Sequence, residues 1–370
     1  MADESDRLLA EIDGIVAEEV RPVCAEHERT ATYPVDLVRK VCALGLPALV
    51  TDESDTPYPT ELFCAAVERL AVGWVALAES VHLQTLAAVG PARHGSAELR
   101  DRFLPDLRLG RVIAGNCLSE PDAGSDLSLI RTSATRHGDG YRLDGVKAYV
   151  GHAGVAGLLN VYARTGGGGL GGITCFLVDA HAPGVEVQPP EEKMGVRSLP
   201  TARVVFSDVE VPADRIVGRL NRGMIVARSV FVQGRLGIAA CAIGLAQAAL
   251  THATAYARRR SQFGSHIIDF QGVGFLLADA SIEIEAARQL LYRACREADT
   301  GGARVELFAA QAKVFATDTA MKVTTDAVQV LGARGYTAVE PVERWMREAK
   351  LFQIIEGTNQ IQRAAIASRL

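Results

Sequence analysis

Apolar residues recur at helical spacing near the start of the chain: Leu8, Leu9, Ile12, Ile15 and Val16, then Leu37, Val38, Val41 and Leu44. Positions three and four apart share one helix face, so the spacing predicts amphipathic helices with a buried stripe. Further periodic runs cover 62–72 and 74–89, with a polar, proline-bearing loop at 52–59 between helices. Residues 1–112 therefore read as a helical domain. The pattern changes over 113–222. Short β-type runs at 173–178, 185–187 and 204–206 are separated by Pro and Gly, and Val209 and Val211 alternate with polar residues. Asp144-Gly145, flanked by the segments 141–143 and 146–150, reads as a two-residue hairpin turn. This zone is predicted to be an antiparallel β domain. From 223 to 370 the period is helical again, with long segments at 223–259, 273–300 and 305–331, and Gly301-Gly302 between the last two. Long helices with short connections predict an antiparallel bundle. The fold class expected is α+β, mainly helical: an N-terminal helical domain, a middle antiparallel β domain and a C-terminal antiparallel helix bundle.

Composition narrows the function classes. The chain has 370 residues, 48% hydrophobic and 22% charged, with a net charge of -5. That balance is ordinary for a globular protein and gives no broad electrostatic grip on nucleic acid. Seven cysteines lack any C-x-x-C pair, and eight histidines show no metal-binding spacing, so no disulfide framework and no metal site is expected. The acidic start, Met1 to Asp6, has no basic leader pattern, and the apolar segment at 237–250 is short for a membrane span. A cytoplasmic protein that binds neither membrane nor nucleic acid is the expectation.

Four clusters carry candidate chemistry. Glu356 follows apolar Leu351, Phe352, Ile354 and Ile355 and precedes Gly357, Thr358, Asn359 and Gln360. Poor solvation raises the basicity of a carboxylate, and glycine beside it lets another molecule approach the backbone. The second cluster runs from Asn116 to Asp126 at the helical-to-β junction and includes Leu118, Ser119 and Ser125. The third is Arg260-Ser261-Gln262-Phe263-Gly264 with Phe270-Gln271. The fourth runs from Gln329 through Gly332 and Ala333 to Tyr336. The run from Gly166 to Gly171 formally fits G-x-G-x-x-G, but the residues after it read as a strand rather than a helix, so it is a hairpin loop.

Together and in this order, the clusters resemble the acyl-CoA dehydrogenase family over nearly the whole chain. The matching stretches include LSEPDAGSD, DGVKAYV, MGVRSLPT, VVFSDVEVP, RRSQFG and AKLFQIIEGTNQIQR. The resemblance implies an FAD-dependent oxidation of the α–β bond of an acyl-CoA thioester. Glu356 is then the α-proton base, and hydride passes to flavin N5. It implies that Leu118, Ser119, Tyr149, Val150 and Gly151 flank the flavin ring. Arg260, Gln262, Phe263, Phe270 and Gln271 match positions that hold the pyrophosphate and adenosine. Gln329, Gly332 and Ala333 match a segment reaching FAD from a neighbouring subunit, and Thr358 and Gln360 close over it. Ser125, Arg235 and Gly357 match substrate contacts. A homo-oligomer, usually a tetramer, and an electron-transfer flavoprotein as electron acceptor follow from the same resemblance.

Several positions depart from the family pattern. Gly151 stands where Thr is common, Tyr149 for Trp, Val232 for Asp, Leu199 for Ser and Ala333 for Gly, and the loop at 51–57 lacks a Gly-Gly pair. Two lost polar contacts to the CoA arm leave open an acyl group held by a carrier protein of a polyketide or peptide pathway. Flavin monooxygenases of this fold need no α-proton base, so Glu356 argues against them. DNA-binding relatives need a basic surface, against the net charge of -5.

Overall fold

The computed structural model describes residues 2–52 and 56–370, so the centre of the 52–59 loop, with part of the 51–57 stretch, lies outside the described residues. The first zone is helical: α1 (Ala2–Ile15), a π-helical turn (Val16–Val20), α2 (Cys24–Thr30), α3 (Val35–Ala43), α4 (Leu46–Thr51), α5 (Pro59–Gly73), α6 (Val75–His94) and α7 (Ala97–Arg108). Ser96 starts α7 by accepting the Leu99 N–H at 3.2 Å, a cap worth about 1 kcal/mol. Most of α6 is buried, which explains its run of apolar and small residues with little polar face.

The middle zone is a sheet of β1 (Ala114–Cys117), β2 (Ser133–His137), β3 (Gly140–Gly151), β4 (Leu158–Arg164), β5 (Ile173–Asp179), β6 (Val185–Val187), β7 (Thr201–Pro212) and β8 (Ile216–Val217). The strand order is β6-β7-β3-β2-β4-β5-β8, with β1 joined to β4. Pairing is mostly antiparallel, but β1 and β2 each meet β4 in parallel. The glycine-rich run at 166–171 lies between antiparallel β4 and β5, as a hairpin loop.

The predicted turn at Asp144-Gly145 is not a turn. Both residues lie inside β3, where the register with β7 shifts between Leu143 and Gly145. The chain reverses earlier, between β2 and β3 around Gly138 and Asp139. Gly145 has φ +149°, and a Cβ there would sit 2.5 Å from the Thr132 hydroxyl. The glycine thus serves a bulge with close backbone approach, a role that looks like a turn in sequence.

The third zone holds α8 (Gly223–Arg259), a small hairpin of β9 (Ser261–Gln262) and β10 (Ser265–His266), α9 (Gln271–Asp299), α10 (Val305–Leu331), α11 (Val342–Phe352) and α12 (Asn359–Ala367). Helix α8 packs on α5, α6, α9 and α10. It is long and apolar enough to cross a membrane, yet 78% of its most apolar window is buried inside the protein. The main core runs continuously from α1 through α5 and α6 into α8–α11.

Buried polar groups tie the layers together. Glu28 on α2 accepts from Trp74 Nε1 (3.0 Å), Arg197 N (2.8 Å) and Ser198 Oγ (2.6 Å). His152 donates Nδ1–H to the Ala114 carbonyl (2.9 Å) and accepts from the Tyr33 hydroxyl (3.1 Å), joining the helical zone to β1. Glu348 on α11 is buried, 3.3 Å from Arg344, and neither of its oxygens accepts a hydrogen bond.

Burial pushes the Glu348 carboxyl up to about 8, against the opposing pull of Arg344. Its folded pKa lies above its unfolded one, so its contribution to stability is whole below about pH 4.3 and lost as pH rises through 8. Glu348→Gln keeps the shape and removes the ionisation. In thermal or urea unfolding, it should gain on the wild type by roughly 1–3 kcal/mol between pH 5 and 9. A difference independent of pH would contradict this.

Candidate active site

Glu356 lies in the loop between α11 and α12, at φ +52°, followed by Gly357 at φ +83°. A non-glycine residue in the left-handed region is strained, so the loop must be held by its surroundings. Lys313 on α10 donates to the Gly357 carbonyl (2.9 Å) and to Asn359 Oδ1 (2.8 Å). Gln362 Nε2 donates to the Glu356 carbonyl (2.9 Å). Asn359 in turn donates to Thr317 (2.9 Å) and Asp318 (2.8 Å). Thr358 caps α12 by accepting the Ile361 N–H at 3.2 Å.

The carboxylate of Glu356 reaches α8 at a gap in its side chains. A Cβ on Gly234 would lie 2.1 Å from Glu356 Oε2, so only glycine admits the carboxylate here. One turn on, a Cβ at Gly237 would lie 2.1 Å from the His82 ring. His82, fully buried on α6, donates Nε2–H to the Gly234 carbonyl at 3.2 Å. Burial pushes His82 down to about 4 and keeps it neutral. Burial raises the Glu356 pKa, and the nearby Arg235 and Lys313 cations oppose that rise. Lys313 is itself pushed down to about 8 by burial, with Glu356 and Asp318 favouring its charge. The arrangement can hold a desolvated carboxylate ready to accept a proton.

The sheet supplies the second wall. Gly151 at the end of β3 approaches Leu83 of α6, where a Cβ would lie 2.7 Å from Leu83 Cδ1. Tyr149 has φ +55° and is 68% exposed, while Val150 is buried and Leu118, Ser119 and Gly151 are half-buried. The Ala148 N–H donates to the Ser119 carbonyl at 2.9 Å, which sets β3 beside the 118–125 loop. That loop rests on a buried ion pair. Lys147 Nζ donates to Glu120 Oε1 (2.9 Å) and to the Leu118 carbonyl (3.0 Å). Glu120 also accepts from Arg131 N (2.7 Å) and Thr132 N (2.9 Å). Burial resists its ionisation, but Lys147 and these donors hold its pKa below the usual range. Ser125 is exposed on the same loop.

The remaining predicted residues lie elsewhere. Gly234 and Arg259 are separated by about 38 Å along α8. Arg260, Gln262 and Phe263 follow on the β9–β10 hairpin at that far end, with Phe263 96% exposed and paired edge-on with Phe270. Gln271 starts α9 there. Gln329, Gly332 and Ala333 close α10, about 24 Å along that helix from Lys313. Glu356, Gly357, Thr358 and Arg235 are thus gathered at one end of the bundle, while these residues sit at the other. Gln360 is exposed on α12. Leu199 is packed in the main core and Val232 is half-buried against it. Sequence reasoning missed His82, Gly234, Gly237, Lys147, Glu120 and Lys313. Lys147 and Glu120 stood inside quoted motifs, but nothing local marks them as a pair.

Comparison with known proteins bears on the whole chain. Residues 2–111, 115–209 and 221–370 match the N-terminal, middle and C-terminal domains of acyl-CoA dehydrogenase. The chain is 37% identical over 363 residues to the cyclohexane-1-carbonyl-CoA dehydrogenase of Geobacter metallireducens, covering 95% of this chain and 93% of that protein. It is 34% identical over 357 residues to the short-chain specific acyl-CoA dehydrogenase of Clostridium acetobutylicum, covering 95% and 94%. The solved butyryl-CoA dehydrogenase of Megasphaera elsdenii superimposes with a TM-score of 0.95 at 33% identity, covering 100% of this chain and 98% of that one. A chain solved in work on the electron transferring flavoprotein of Acidaminococcus fermentans gives 0.95 at 32%, with the same coverage. The structure of PigA with FAD and proline gives 0.94 at 25%, again covering 100% and 98%.

Gly234→Ala tests the geometry directly. The added Cβ overlaps the carboxylate of Glu356, whose Oε2 would be 2.1 Å away. In a crystal structure of the variant, the carboxylate should be displaced by about 1 Å or more, since ordinary contact is about 3.5 Å. An unmoved Glu356 beside an undisturbed α8 would show that the gap is not required.

Proposed function

The chain belongs to the acyl-CoA dehydrogenase family, oxidoreductases acting on CH–CH bonds, and on that premise we propose that it is an FAD-dependent enzyme that oxidises the α–β bond of an acyl thioester with Glu356 as base. The observation that carries this reading is the Glu356 carboxylate, desolvated against the bare backbone of Gly234 and flanked by two cations. The α proton of a thioester is weakly acidic, so the base must be strong and close. Burial strengthens Glu356, while Arg235 and Lys313 keep it ionisable. Among the described residues no group accepts the Glu356 backbone N–H. It is therefore free to donate to a thioester carbonyl as negative charge develops there.

The residues fit a flavin nucleotide. Side-chain-free Gly151, exposed Tyr149 and the half-buried Leu118 and Ser119 offer a wall for a flat ring beside Glu356. Arg260 and Gln262 offer the charge and amide that grip phosphate, and Phe263 offers an open ring face. FAD bound between these groups supplies the two-electron acceptor for the β hydride. The separation of about 38 Å along α8 is too great for one chain to close one such site from both ends. We therefore read the hairpin, with Gln329, Gly332 and Ala333, as serving the flavin of a neighbouring copy. Exposed Phe263, Tyr336 (85%) and Val339 (73%) at that end support a homo-oligomer, with a tetramer as the proposed state. The likeness to a chain solved in work on an electron transferring flavoprotein supports such a protein as the electron acceptor. Apolar Leu199 and Val232, standing where the family pattern has polar contacts to the CoA arm, favour as a second reading the same chemistry on a carrier-bound acyl group.

The purified protein should be yellow, with about one FAD per chain, and an acyl-CoA or acyl-carrier thioester should bleach it under anaerobic conditions. Glu356→Gln should retain FAD and thioester binding and lose bleaching by at least about 10²–10⁴-fold. Bleaching at the wild-type rate would remove Glu356 as the base. Turnover should rise with pH through the Glu356 pKa, which lies above the ordinary 4.5. It should fall above about 8, where Lys313 loses the proton that fixes the loop and favours ionised Glu356. Loss of the alkaline limb in Lys313→Gln is the expected control, and an unchanged limb would exclude Lys313 as its source.

A further inference from the structure

Beyond Glu356, the interior between α6 and α8 contains polar atoms that none of the described residues satisfies. Oε2 of Glu79, Nδ1 of His82 and Oε1 of Gln233 are buried without hydrogen-bond partners. Glu79 is 4% exposed, Gln233 3% and His82 0%. Glu79 and His82 stand one turn apart on α6, and Gln233 and Gly237 one turn apart on α8, where the His82 ring meets Gly237. His82 spends its one proton on the Gly234 carbonyl, which leaves Nδ1 as an acceptor. A Glu79 carboxylate is an acceptor at both oxygens, and the Gln233 amide can turn either end inward.

The charged groups that face Glu79 are Lys193, Glu356 and Glu28. Lys193 offsets part of the burial effect on Glu79 through space but makes no hydrogen bond to it, its ammonium donating to the Leu199 carbonyl and to Thr201 Oγ1. Burial pushes the Glu79 carboxyl up to about 7, and a donor that carries positive charge would restore its ionised form. Buried acceptors without donors are costly, so this cluster is suited to receive donors.

Its place relative to Glu356 follows from α8. Gly234 marks the Glu356 carboxylate; the His82 ring meets Gly237 and Gly90 faces Val226, so α6 and α8 run antiparallel and Glu79, one turn before His82, is level with a point about 10 Å along α8 from Gly234. A reacting C–H sits about 3 Å from its base, and a donor about 3 Å from its acceptor. About 4 Å remains between them, which three chain atoms fill.

We propose that the acyl group oxidised here ends in an amine, an ω-amino-acyl thioester whose ammonium donates to Glu79 and His82 while Glu356 faces its α carbon. An ammonium has three donors and no acceptor, the complement of this cluster, and its bond to a carboxylate is charge-assisted. An alkyl chain of equal length leaves the acceptors bare. The inference rests on the dehydrogenase reading and names its substrate class.

The test uses the FAD-loaded enzyme with 5-aminopentanoyl-CoA and its near-isostere hexanoyl-CoA. Binding is read in the Glu356→Gln background, and anaerobic bleaching in the wild type. The amino compound should be favoured by about ten- to a hundred-fold in both readouts. Glu79→Leu should abolish or reverse that preference and Glu79→Gln should reduce it, with FAD content and melting temperature confirming the fold of each variant. A wild-type preference for hexanoyl-CoA, or Glu79 variants that change both compounds equally, would overturn the proposal and make Glu79 a core carboxylate satisfied by water. If both compounds bleach the flavin without preference, this inference alone fails. If no thioester bleaches it, the dehydrogenase reading fails, and this inference with it.

Discussion

The absence of side chains along one face of α8 is the constraint on which the site depends. Gly234 admits the Glu356 carboxylate, Gly237 admits the His82 ring, and Gly244 lets α8 lie against the Glu68 carbonyl of α5. Glycine inside a helix costs about 1 kcal/mol relative to alanine. Helix α8 carries that cost three times and remains helical because its other positions are buried against neighbouring helices, chiefly α5, α6, α9 and α10. The stripe therefore trades helix propensity for close approach, and the close approach removes water from around the base.

Position is then refined by charged groups inside the protein. Lys313 fixes the Glu356 loop through two carbonyl-type oxygens, and Lys147 fixes the Leu118 carbonyl while paired with Glu120. Glu28 ties Trp74 to the Arg197–Ser198 backbone. Buried ion pairs give modest net stability against apolar replacements. What each does here is hold a strained or irregular backbone segment in one place. The left-handed Glu356 and Tyr149 lie in segments held this way. Rigid support of this kind lets a proton-abstracting group and a ring-binding wall keep their separation through a reaction.

Much of the fold was legible because its signals are local. The helical period marked the approximate spans of α8 and α10, since apolar spacing and the Gly301-Gly302 break are properties of short stretches. The glycine-rich run was separable from a nucleotide fingerprint by the strand after it. Asp144-Gly145 was misread because glycine permits both a turn and a bulge, and only the register with β7 and the nearness of Thr132 decide which.

The sequence by itself determined the helix-sheet-helix order, the family resemblance and the identity of Glu356 as the candidate base, since an apolar run ending in Glu-Gly-Thr-Asn-Gln is contiguous. The tertiary structure alone decided what surrounds that carboxylate. Gly234 lies 122 residues before Glu356, and His82 lies 152 before Gly234. It also divided the predicted contacts between two ends of the bundle, and it left Oε2 of Glu79 in the interior without a donor among the described residues. Hydrophobic period fixes which face of a helix is buried, but contacts between distant helices depend on how those faces pack, and no local pattern encodes that.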